Sequence, residues 1–123
     1  TEIITGSFVN AAAIVQYIRE RSPNEVSLVC MGYGATRPVE EDTFCAYYIK
    51  NTLENKATDF PAMVKKIRQT SGRRFFMPEK QAYAPSEDFD LCLNLNRFNF
   101  VLKANREAEP LQLSKLEMND ENT

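Results

Sequence analysis

Histidine is absent from all 123 residues. That absence excludes Ser-His-Asp and Cys-His nucleophilic catalysis, a histidine general base and any zinc site built on imidazole. Chemistry is left to carboxylates, hydroxyls, lysine or arginine, backbone N–H groups, or a hard cation held by oxygen. Long apolar runs are absent too. None approaches the roughly 20 residues of a bilayer span, and the start lacks a basic-then-apolar signal pattern, so no membrane is expected. Excess charge of either sign is lacking: the formal net charge of −2 does not point to nucleic acid or an anionic membrane as the main partner. The three cysteines cannot all pair within the chain, and none forms a Cys-x-x-Cys. Cys30 in an apolar run and Cys45 on an apolar helix face read as small core residues, in a reduced, cytoplasmic setting.

What is present is an ordinary globular composition, 43% hydrophobic and 26% charged, in one domain's length of chain. The chain does not open with methionine, and its first residues read as mid-sheet sequence, which predicts a piece of a longer protein.

The stretch from Val26 to Leu53 organises the rest. An apolar run, Val26 to Met31, closes on Gly32; a short loop follows, and a helix opens with Glu40, Glu41 and Asp42. That order predicts a buried strand feeding a helix, and in open α/β sheets such turns are where ligands sit. An earlier copy of the unit precedes it. Thr1 to Thr5 predicts a strand, Gly6 to Val9 a turn, and Asn10 a helix N-cap. Ala11, Ile14, Val15 and Ile18 follow at the spacing of an amphipathic helix, stopped by Ser22-Pro23-Asn24. Two strand–helix units in tandem predict parallel pairing with right-handed crossovers, within a three-layer α/β/α domain on a mainly parallel sheet.

Further along, Phe60, Met63, Val64 and Ile67 predict a third helix, ended at Gly72. Pro78 and Pro85 interrupt any long element between Arg73 and Pro85. Ser86-Glu87-Asp88 opens a fourth helix with Phe89, Cys92, Leu93 and Leu95 inward, and Phe98 to Leu102 alternates as a strand does. Residues 1–104 thus read as an α/β domain. Residues 105–123 read as an acidic, partly ordered tail, with five acids against two bases after position 105 and a frayed last six residues.

Four places could carry chemistry. At the first helix start, Gly6, Ser7 and Asn10 offer N–H and side-chain donors to an anion, or are simply a turn and a cap. At the second helix start, Glu40, Glu41 and Asp42 suit the helix dipole. One or two of them could instead hold Mg²⁺, which takes one or two carboxylates and completes its shell with water and substrate phosphate. Gly32-Tyr33-Gly34 lacks the third glycine and later acid of a dinucleotide loop, so it reads as a turn that lets a ligand approach the backbone. The basic run Lys65, Lys66, Arg68, Arg73, Arg74, Lys80 reads as a solvated helix face. Arg73 or Arg74 could reach a doubly anionic substrate. An RNA-binding role for this run, with Phe75 and Phe76 stacking on bases, runs against the overall acidity.

Three stretches in order, G-S-F-V-N-A-A-A-I, V-S-L-V-C-M-G and E-D-T-F-C-A-Y-Y-I, with the later D-F-D-L-C-L-N-L-N-R-F-N-F-V-L, resemble the carboxyl half of the 2-phosphosulfolactate phosphatase family, the ComB-like proteins of coenzyme M biosynthesis. The resemblance runs from about Ile3 to Leu102. It implies an α/β fold of which this chain is half, and a Mg²⁺-dependent phosphatase acting on a small phosphorylated organic acid. By the resemblance, Asp42 takes a metal-shell or acid/base role, with Glu41 as second choice. Ser7 and Asn10 hold phosphate or sulfonate oxygens beside Gly6, and Gly32 ends the strand at the site. The family's other half is missing, so the resemblance implies a complementary amino-terminal half or a homo-oligomer. The competing expectation is a non-catalytic α/β binding or interaction domain whose partner is a small anion or another protein.

Overall fold

The computed structural model describes residues 1–32 and 34–119. Four helices form: α1 (Ala11–Arg21), α2 (Glu40–Leu53), α3 (Phe60–Gln69) and α4 (Ser86–Cys92). Two strands, β1 (Phe100–Asn105) and β2 (Gln112–Glu117), pair antiparallel with Val101 opposite Leu116. Short 3₁₀ turns precede α1 and bridge α3 to α4. The class is mixed α/β.

Periodicity explains the helices. Ala11, Ile14 and Val15 of α1, Cys45 and Ile49 of α2, Ile67 of α3 and Phe89 of α4 meet in one core with Phe8 and Val101. Phe8, Tyr48 and Phe60 close it with edge-on ring contacts at 5.2–6.1 Å between centroids. Helix α3 starts where Asp59 accepts the Ala62 N–H, a side-chain cap. At its far end Gly72 is buried; a Cβ there would stand 2.7 Å from the Ile67 carbonyl oxygen and 2.8 Å from the Phe89 ring. Between Arg73 and Pro85, where no long element was expected, the chain takes two 3₁₀ turns.

The sheet departs from expectation. A mainly parallel, three-layer arrangement needs residues 1–5 and 26–31 to bond to one another, directly or through a strand between them. Among the described residues they do not. Residues 3–5 pair antiparallel with β1 instead: Thr5 donates to the Leu102 carbonyl at 3.0 Å, and Ala104 donates to that of Ile3 at 2.9 Å. Residues 26–31 form no strand and are exposed throughout, Val29 at 77% and Met31 at 67%. An apolar run becomes a strand only with a neighbour for its backbone, and this one finds none within the described chain. Cys30 is therefore exposed rather than core, whereas Cys45 is buried as expected; Cys92, expected to point inward, is exposed.

Beyond Ala104, weakly patterned sequence supplies β2, which covers β1 along its whole length. The last six residues, expected to fray, fall only partly within view: 120–123 lie outside the described residues, as does Tyr33. No helix among the described residues is long and apolar enough to cross a membrane.

Candidate functional site

The three acids opening α2 fan apart by about 100° each, and each finds a different setting. The Glu40 carboxylate is held below its ordinary range chiefly by its own backbone N–H, with burial opposing next and the hydroxyls of Ser71 and Thr70 each adding a smaller lowering. Glu41 accepts from Arg74 at 3.0 Å and from the Ser71 hydroxyl, so it braces the 3₁₀ turn after α3. Asp42 turns the other way. One of its oxygens accepts the Gly32 N–H at 2.7 Å, and its carbonyl accepts the Cys30 thiol at 3.6 Å.

Asp42 also lines a cavity of about 640 Å³ bordered by residues 3–6 and 26–31 and floored by Ile14, Ile18 and Ile49. Among the described lining residues Asp42 is the one charged group; the rest is almost wholly apolar. Gly6 shares this lining. Below it the Cys45 thiol is pushed up to about 12, chiefly by burial and secondarily by the negative charge of Asp42.

Ser7 and Asn10 sit differently. The Ser7 hydroxyl donates to Asn10 Oδ1 at 2.8 Å, and Asn10 Nδ2 donates to the Phe100 carbonyl at 3.0 Å. Asn10 is buried and stands at the N-cap position of α1, but its side chain makes no capping bond; Asn96 Oδ1 accepts the Ala12 N–H instead, at 2.9 Å. The structure thus brings Gly6 and Asp42 to one cavity, with Gly32 bonded to the Asp42 carboxylate from outside the lining. It directs Glu41 to Arg74, and ties Ser7 and Asn10 to the β1 backbone.

Arg74, a candidate for a dianionic substrate, is engaged with Glu41 and lies over the Phe75 ring at 4.5 Å. Arg68 covers Phe76 at 4.2 Å. Each of the two rings proposed to stack on bases thus carries a cation of the same chain over one face. Ser71, Thr70 and Asn96 were not singled out from the sequence. Ser71 and Asn96 meet partners 30 and 84 residues away, beyond any local spacing rule, whereas the Thr70 hydroxyl donates locally to the Lys66 carbonyl.

The cation test is narrow. Mg²⁺ asks a protein for one or two carboxylates, and Asp42 supplies one on an open cavity wall. Among the described residues there is no cluster of three His, Cys, Asp or Glu that could hold a metal. Asp42 fits the minimum for Mg²⁺ with water and phosphate completing the shell, and nothing more demanding.

The family model for 2-phosphosulpholactate phosphatase matches residues 1–107, a span that includes all four helices and β1. The chain belongs to this family. A curated member, the probable 2-phosphosulfolactate phosphatase of Trichormus variabilis, is 36% identical over 55 residues, which make up 45% of this chain and 22% of that protein. The matched stretch thus spans about a fifth of the relative's length. No solved structure matches the chain.

Proposed function

We propose that this chain supplies part of the active site of a Mg²⁺-dependent phosphatase that hydrolyses a small phosphorylated organic acid of the 2-phosphosulfolactate type. The observation that carries the reading is the family match over residues 1–107, with Asp42 as the single charged group among the described lining residues of the cavity that Gly6 shares. In this reading the chain is the carboxyl half of the fold, and its sheet becomes mainly parallel when the remaining strands are present. The protein works in a reduced cytoplasmic setting, in coenzyme M synthesis or an equivalent use of phosphate esters.

Asp42 is the metal-shell residue, its carboxylate oriented by the Gly32 N–H. Mg²⁺, when bound, would neutralise phosphate oxygens and favour attack by water. Gly6, Ser7 and Asn10 open α1 and receive substrate oxygens, which requires the Ser7–Asn10 bond to exchange for a bond to substrate. Glu41 acts at one remove, holding Arg74 and Ser71 beside the helix start.

A specific observation favours a second reading, a non-catalytic α/β binding or interaction domain. Glu41, Ser7 and Asn10 already have internal partners, as structural groups do. A Mg²⁺ titration of the complete protein with para-nitrophenyl phosphate separates the two. Metal-dependent turnover lost in Asp42→Asn supports the enzyme. Turnover indifferent to Asp42→Asn combined with Glu41→Gln removes the site assignment.

A further inference from the structure

The cavity beside Asp42 has the construction of a strand-receiving groove. In the non-hydrogen-bonded pair Ile4–Lys103, the flanking residues Ile3 and Thr5 bond to β1, so the N–H and C=O of Ile4 point to the opposite edge. Among the described residues neither makes a backbone hydrogen bond, nor does any N–H or C=O of residues 26–31. Ile3 to Gly6 and Val26 to Met31 both border the cavity, and its floor is the apolar face of α1 and α2. Two unpaired backbone edges over an apolar floor define the missing piece chemically. It is an extended, uncharged, β-branched or aliphatic segment whose backbone bonds the edges and whose side chains alternate into the floor.

We infer that this groove receives a β-strand from the part of the family fold outside these 123 residues, which joins residues 3–5 to residues 26–31 in one continuous sheet. The occupant is argued from length and charge. The 55 matched residues are 22% of the Trichormus variabilis relative, which is therefore about twice this chain's 123 residues in length, so about as much chain again lies beyond a counterpart of the whole chain. The exposed edge strand β2 of a second copy would carry Lys115 and Glu117 into an apolar groove, at a desolvation cost that an aliphatic strand avoids. The inference rests on the reading that this chain is one part of a larger family fold, but not on turnover.

Cys30 lines the groove and is exposed, which makes it a reporter; Cys92, exposed and away from the groove lining, is the control. The probe is the Trichormus variabilis polypeptide lacking its counterpart of this whole chain, shown by circular dichroism to be folded and then added to this chain. Alkylation of Cys30 by iodoacetamide is expected to slow at least about tenfold, as are amide exchange at Ile4 and residues 26–31, while Cys92 reacts as before. Val29→Pro, at an exposed position without a backbone bond, leaves the unbound chain's circular dichroism unchanged and abolishes the protection. Binding that leaves Cys30 and residues 26–31 unprotected, or no binding, overturns the inference. Protection that grows with the concentration of this chain alone, with a dimer mass, overturns it in favour of a second copy. Protection without Mg²⁺-dependent turnover sustains the groove and counts against the phosphatase reading alone.

Discussion

The Gly32 N–H and the Asp42 carboxylate, ten positions apart in sequence, meet at 2.7 Å. That bond anchors the end of the apolar 26–31 run to the first turn of α2 and aims the one charged side chain among the described lining residues of the cavity. Gly32 is suited to it by backbone alone: its φ is +73°, and a Cβ would stand 2.2 Å from the Arg37 carbonyl oxygen.

Gly32→Ala is therefore expected to cost about 1–3 kcal/mol of stability through strain and backbone clash. Gly34→Ala, also at positive φ but with only the Thr36 hydroxyl 3.8 Å away, is expected to cost about 1 kcal/mol. Thermal melting of the two variants side by side checks the order. Equal melting temperatures would remove the steric role assigned to Gly32.

The Glu41–Arg74 pair is half-buried and shared with Ser71. A double-mutant cycle with Glu41→Gln and Arg74→Met is expected to give a coupling of about 1 kcal/mol, above the median for exposed pairs. Urea unfolding measures it. A coupling indistinguishable from zero would make the pair a surface contact and free Glu41 for the site.

Asn10→Ala removes a buried side chain that accepts from Ser7 and donates to Phe100. It leaves a carbonyl and a hydroxyl without partners, at a cost of about 1–3 kcal/mol. Ser7→Ala, at a half-buried position, is expected to cost less than Asn10→Ala in the same denaturant titration. If Ser7→Ala instead leaves stability unchanged and weakens binding of inorganic phosphate, Ser7 serves the ligand rather than the fold.

Cys45 links stability to alkaline pH. Its thiol is raised from 9.0 to about 12 by burial, so the folded chain keeps a proton that the unfolded chain loses first. This contribution is complete below pH 9 and is lost as pH rises towards 12. Cys45→Ala is expected to flatten the fall in unfolding free energy over that window, although it lowers stability at pH 7 through the lost packing. At pH 8 a thiol reagent reaches Cys30 and Cys92 and leaves Cys45 untouched until the chain unfolds.

The four helices were legible because each carries its own period: Ile14 and Val15, Cys45 and Ile49, and Phe89 needed only local spacing to declare a buried face. The family resemblance was legible for a similar reason, since it lies in the order of stretches along the chain. The sheet was not. Val26–Met31 has the composition of a buried strand, but a strand's hydrogen bonds belong to its neighbour, and no composition states whether the neighbour is present. β2 was missed for the converse reason: Gln112–Glu117 alternates weakly and owes its conformation to β1.

The site divided along the same line. Sequence by itself determined that chemistry here must do without histidine, and that three carboxylates stand at the head of one helix. Tertiary structure alone decided which of the three faces a cavity. A helix turns by about 100° per residue, so adjacent acids diverge. Partners distant in sequence, Ser71 and Arg74 for Glu41 and Gly32 for Asp42, then settled what each carboxylate meets.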